Sequence, residues 1–201
     1  MDFTTIQKNL EALEYKVSCF ETGAEAAAYL TESIQNTTVG FGGSMTLRDL
    51  GLYEKLGKNN QIYWHWILPE GMTQDDARAH ARTTEVYLSS ANGIAETGEI
   101  VNIDGNGNRV AETLFGHKKV YIIVGKNKIA PDYDGALWRA RNIASPKNAQ
   151  RMNRKTPCAV NGDKCYDCKS PDRICRGLTV LWKKPMCAEY EVVLINEDFG
   201  F

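Results

Sequence analysis

Apolar residues recur at spacings of three and four at Phe3, Ile6, Leu10 and Leu13, which puts them on one face of a helix. The YKVSCF that follows reads as a short strand. AEAAAYLTESI predicts a second helix, TTVGFG a strand that stops at Gly42 and Gly43, and SMTLRDLGLYEKLG a third helix. QIYWHWI reads as a strand closed by Pro69 and Gly71, and TQDDARAHARTTEVYLSS as a helix whose first turn Thr73 caps. Strands alternating with whole helices predict an α/β fold with parallel strands covered on both faces.

The middle of the chain has a different pattern. ANGIAETGEIVNIDGNGNRVAE alternates β-prone runs with Gly and Asn, predicting short extended segments and a two-residue hairpin near Asn106 and Gly107. KKVYIIVG is apolar almost throughout, as a strand buried on both faces must be. DYDGALWRARNIASPKNAQRM reads as a helix interrupted or ended near Pro146, and EYEVVLINE as the last strand. Residues 156–187 lack a periodic apolar pattern and hold five of the six cysteines. They read as a site-bearing insertion in a single domain of residues 1–201.

Composition narrows the classes. A chain of 201 residues, 43% of them hydrophobic, is long enough for one sizeable core. With 24 Lys+Arg against 25 Asp+Glu there is no bulk attraction to nucleic acid or to an anionic membrane. No apolar run approaches the roughly 20 residues that cross a bilayer, and MDFTTIQKNLEALEYK carries acidic residues where a secretory signal needs an apolar run. A cytoplasmic protein with reduced thiols is the expectation.

Cys158, Cys165, Cys168 and Cys175 give the pattern C-x6-C-x2-C-x6-C. Four thiolates within 18 residues can surround zinc or hold the four irons of a cubane cluster, and bound metal would stabilise a segment with so little apolar burial. A zinc ribbon commonly has two C-x2-C knuckles and this chain has one, whereas a [4Fe–4S] cluster does not need the pair. Both metals stay open, with the cluster favoured. Cys187 is a spare, and Cys19, on the first apolar strand, is expected to be a buried small hydrophobe.

GFGGSMT places glycines at a strand end and Ser44 and Thr46 at a helix start, where backbone N–H groups can cradle a carboxylate or phosphate. The alternative is a tight turn capped by Ser44. There is no Walker lysine and no full G-x-G-x-x-G, so the turn is not an ATP or NAD signature. At IAETGEIV, Glu96 is a candidate acid/base and Thr97 a candidate donor in a turn, against the alternative of a solvated carboxylate. Alternation puts His65 on the face opposite Trp64 and Trp66, lining a cleft or meeting solvent.

GFGGSMTLRDLGL, ANGIAETGEIVNIDGNGNRVA, KKVYIIVGKNKI and CYDCKSPDRIC together resemble the LUD-domain, or lactate-utilisation, family over nearly the whole chain. The resemblance implies a three-layer α/β/α sandwich of the ribose-phosphate isomerase and CoA-transferase-like kind, and a link to oxidation of lactate to pyruvate alongside iron–sulfur partner proteins. It carries Gly42, Gly43, Ser44, Thr46, Glu96, Thr97 and Gly98 over as cleft candidates. The four-cysteine segment accords with stand-alone relatives rather than with the core fold. Three functions follow: a redox accessory protein carrying a cluster, a small-molecule enzyme using Glu96, and a noncatalytic module with structural zinc.

Overall fold

Strands and helices alternate through the computed structural model, which describes all residues from Met1 to Phe201. Helix α1 (Thr4–Ala12) leads to β1 (Lys16–Phe20), α2 (Gly23–Ser33), β2 (Thr38–Phe41), the short α3 (Met45–Asp49) and α4 (Leu52–Leu56), and β3 (Gln61–Tyr63). Next come α5 (Gln74–Ala81), β4 (Val86–Ser89), β5 (Gly93–Ala95), β6 (Ile100–Asp104), α6 (Asn108–Glu112), β7 (Lys119–Gly125) and β8 (Ile129–Ala130). The chain finishes with α7 (Tyr133–Arg139), α8 (Ser145–Arg151), α9 (Pro157–Asn161), β9 (Gly177–Leu181) and β10 (Glu189–Ile195).

Six strands form a wholly parallel sheet in the order β1-β10-β7-β4-β2-β3. The apolar β7 and β10 lie inside it and divide their side chains between two cores. Tyr121, Ile123, Val193 and Ile195 pack with Ala26, Ala27 and Leu30 of α2 and with Leu47, Leu52 and Leu56 of α3 and α4. Val120, Ile122, Val124, Val192 and Leu194 pack on the other face with Ile6 and Leu10 of α1 and with Ile94 and Ile100. The α/β layering is as expected, but the far layer is shared: beside α1 it contains a second sheet, β8-β5-β6-β9, onto which α7 lays Ala136 and the turn after it lays Ala140.

Several elements differ from the sequence reading. The third helix is two, broken at Gly51, whose φ of 62° is left-handed. Helix α5 stops at Ala81, and the β-branched stretch after it becomes β4, with the Thr84 hydroxyl donating to Ala81 O at 2.9 Å. The strand at QIYWHWI is only Gln61–Tyr63. No hairpin forms at Asn106 and Gly107; Gly107 leads into α6, and the antiparallel turn is at 96–98, between β5 and β6. Pro146 does not end its helix. Its ring crowds the carbonyl four residues back, and a π-helical turn at Ala140–Ala144 widens the helix there so that α7 continues into α8. Cys19 is exposed rather than buried, because β1 is an edge strand. The 156–187 segment also contributes regular structure, since its β9 pairs antiparallel with β6.

Candidate functional site

In a parallel sheet the loops that follow the strands all leave at one edge. Here the loops after β2, β3, β4 and β7 meet α6, α8 and the cysteine segment around a cleft of about 730 Å³. The size suits a small molecule, given the ~300–1,000 Å³ typical of ligand pockets. Gly43 and Ser44 come from the first loop, His65 and Trp66 from the second, Ser90 and Asn92 from the third, and Lys128 from the turn after β7. Gly43 is the residue the site needs there: a Cβ would sit 3.3 Å from both His65 Nε2 and the Trp66 ring.

Lys128 is only 4% exposed. Its Nζ donates to Thr46 Oγ1 at 2.8 Å and Ser90 Oγ at 3.0 Å, and it makes no ion pair. Burial, with Arg139 and Arg109 nearby, pushes its amine down to about 7. Arg139 is buried behind it, donating to Asn127 O at 2.7 Å and Asn92 O at 2.6 Å. The Asn92 side chain in turn accepts from Arg109 Nη2 at 3.1 Å and from Ile103 N–H at 2.7 Å, so one residue ties both arginines to the second sheet. Burial and the nearby Arg78 push the His65 imidazole down to about 4, leaving it neutral at pH 7.

The lining is strongly cationic. Arg78, Arg109, Lys128, Arg151, Arg154, Arg173 and Arg176 face the cleft, against Asp104 and Asp172. Arg78 pairs with Asp75 at 2.7 Å and Arg154 with Asp172 at 3.1 Å; the other five make no salt bridge. Arg151 stacks over Trp66, 4.8 Å from the ring centroid. Unpaired cations around one cavity favour an anion.

Of the residues singled out from sequence, Gly43 and Ser44 line the cleft, and Thr46 enters through its bond to Lys128. Gly42 stands just behind, where a Cβ would be 3.1 Å from the Arg109 side chain. Ser44 Oγ accepts from Leu47 N–H at 3.4 Å, the expected cap. Glu96, Thr97 and Gly98 are not in the cleft. They form the β5–β6 turn, which packs against α1: Asn9 donates to Glu96 O at 2.6 Å, and Gly98, at φ 111°, abuts Leu13. Lys128, Arg109, Arg139 and Asn92 were not singled out from sequence; one Lys in GKNKIA and one Arg in GNGNRVAE carry no periodic or spacing signal.

Cys158 lies on α9, and Cys165, Cys168 and Cys175 lie on the loop that follows. All four are half-buried free thiols. Arg173 Nη2 donates to Cys175 Sγ at 3.3 Å, Asp167 N–H to Cys165 Sγ at 3.4 Å, and Arg141 reaches Cys165 Sγ at 3.9 Å. Soft thiol donors with N–H groups turned toward them fit zinc or an iron–sulfur cluster by type. No three or more His, Cys, Asp or Glu side chains are grouped so as to hold a metal ion. The link between Cys168 and Cys175 is itself cleft wall: Pro171, Asp172, Arg173 and Ile174 all line it.

A DUF162 family protein from Deinococcus radiodurans has a similar solved structure, with a TM-score of 0.50 over 97% of this chain and 99% of that one. At 12% identity this likeness shows the fold. No curated protein matches the sequence. The profile of the LUD domain does match, over residues 4–195, a span that takes in both sheets, the cleft and the cysteine segment. On that match the chain belongs to the LUD domain family, which is associated with lactate utilisation.

Proposed function

We propose that the protein binds a small organic anion, a carboxylate or phosphate ester, in this cleft and serves lactate utilisation as an accessory protein. The observation that carries the reading is the set of four arginines without salt-bridge partners, Arg109, Arg151, Arg173 and Arg176, around one cavity at the strand ends. In the unfolded chain these groups are fully hydrated; folding brings them together, and an anion recovers part of that cost by pairing with them. Arg109 supplies charge at the inner end, Arg151, Arg173 and Arg176 supply it around the rest of the wall, and neutral His65 offers a hydrogen bond. Glu96 lies outside this cleft, on a turn that packs against α1.

Calorimetric titration with lactate, pyruvate and inorganic phosphate tests the reading. Binding of at least one of them should weaken tenfold or more in Arg109→Met, and rising salt should weaken it further. Unchanged affinity in Arg109→Met and in Arg151→Met would refute the cleft as the anion site.

A second reading concerns the thiols and is supported by the N–H groups turned toward Cys165 and Cys175. Cys158, Cys165, Cys168 and Cys175 would hold a [4Fe–4S] cluster, with zinc the alternative. A bound cluster supplies single-electron exchange with an iron–sulfur partner protein; Arg141 and Arg173 would orient and charge-balance the sulfurs. Anaerobic purification with iron, acid-labile sulfide and zinc quantification decides it. Cys165→Ser and Cys168→Ser should each cut metal occupancy and raise protease sensitivity, and full occupancy with unchanged proteolysis in both rejects the placement.

A further inference from the structure

We propose that Lys128 is a nucleophile that captures the carbonyl carbon of a 2-oxo acid in the cleft as an imine. This deepens the reading of the cleft as an organic-anion site and rests on it. Lys128 is buried, yet it lines the cavity, so a reactant reaches it only by entering the cleft. Its nitrogen has two polar neighbours, the hydroxyls of Thr46 and Ser90, at 2.8 and 3.0 Å. Those hydroxyls direct their own hydrogens elsewhere, Ser90 to Thr46 Oγ1 at 3.4 Å and Thr46 to Phe199 O at 3.3 Å, so both accept from the lysine.

A neutral amine has two N–H bonds and one lone pair. Two acceptors satisfy both N–H bonds and leave the lone pair free. An ammonium would bring a third N–H and no lone pair, and no carboxylate pairs with it there. Arg109 on α6 and Arg139 on α7 act against the charged form, with only the exposed Asp49 on α3 opposing them. The same positive field that disfavours the ammonium attracts a carboxylate, and a 2-oxo acid carries a carboxylate next to its carbonyl.

The chemistry balances without an oxidant. The amine lone pair attacks the carbonyl carbon, and the carbonyl oxygen takes a proton as the nitrogen loses one. The resulting hydroxyl takes up the nitrogen's second proton and leaves as water, while the nitrogen lone pair closes the C=N bond. One amine and one ketone give one imine and one water.

The test is reductive trapping of the full-length protein with pyruvate and sodium cyanoborohydride at neutral pH, read by intact mass and peptide mapping. A single reduced pyruvate adduct is expected, on Lys128, forming at least tenfold faster than on the exposed Lys58 or Lys147 and disappearing in Lys128→Arg. Lactate, with a carboxylate and no carbonyl, should slow the reaction and leave no adduct of its own. Mapping in the parent protein stands even if the variant folds poorly. Calorimetry on the same preparation separates the two readings. Pyruvate bound and displaced by lactate, with no adduct or with adducts spread evenly over surface lysines, overturns the imine and leaves the anion site standing. Neither binding nor adduct overturns both.

Discussion

A lysine amine held in a protein interior without a carboxylate is a cost to folding that depends on pH. Lys128 has its amine pushed from 10.5 down to about 7. Between those values the unfolded chain holds a proton that the folded chain lacks, so this group's contribution to stability rises with pH across the window, and its penalty is complete below about 7. At ~1.4 kcal/mol per pH unit the penalty is at most ~5 kcal/mol. Lys128→Met should therefore stabilise the ligand-free protein most near pH 6 and progressively less toward pH 10, as urea melts at several pH values will show. A flat difference would mean that the amine is solvated in the native state. Ser44 stands apart from it: as the cap of α3, Ser44→Ala should cost ~1 kcal/mol in the same melts. The two also differ in how readable they were. Ser44 is legible because a hydroxyl after Gly-Gly and before an apolar run is a local signal. Lys128 is not, because its burial arises only when β7, β4 and the segment around Phe199 close over it.

At the scale of elements, the strands buried on both faces were the easiest to read, since KVYIIVG and EVVLI leave no polar face for water. Errors collected where two local rules competed. Helical spacing through DDARAHA overran into Thr83 and Val86, although β-branched residues fit a strand better than a helix. Pro146 reads as interrupting or ending its helix; it does not end it, and the π-helical turn before it is the interruption that accommodates the ring. The β5–β6 turn, from sequence either a candidate site or a solvated turn, lies outside the cleft and packs on α1. At φ 111° and against Leu13, Gly98 has no room for a side chain. Gly98→Ala should lower stability by ~1–3 kcal/mol in thermal or urea unfolding. It should leave the calorimetric affinity for carboxylates unchanged; a parallel loss of affinity would restore that turn to the functional site.

For the whole molecule, lactate oxidation releases two electrons, and an accessory protein depends on a partner to accept them. The isolated protein, metal-replete, should not sustain conversion of lactate to pyruvate. Pyruvate should be followed directly, with the chain alone, with an artificial acceptor, and with candidate iron–sulfur partners; repeated turnover with the artificial acceptor alone would make this an autonomous dehydrogenase. The wall shared by the cleft and the cysteine segment has a different consequence. Pro171 to Ile174 cannot settle against a ligand without also fixing the distance between Cys168 and Cys175, so cleft and thiols should sense each other reciprocally. In the metal-free protein, the speed at which a thiol reagent labels Cys168 and Cys175 becomes a gauge of occupancy, slowing as the cleft fills, whereas exposed Cys19 on the far edge strand keeps its own pace as an internal clock.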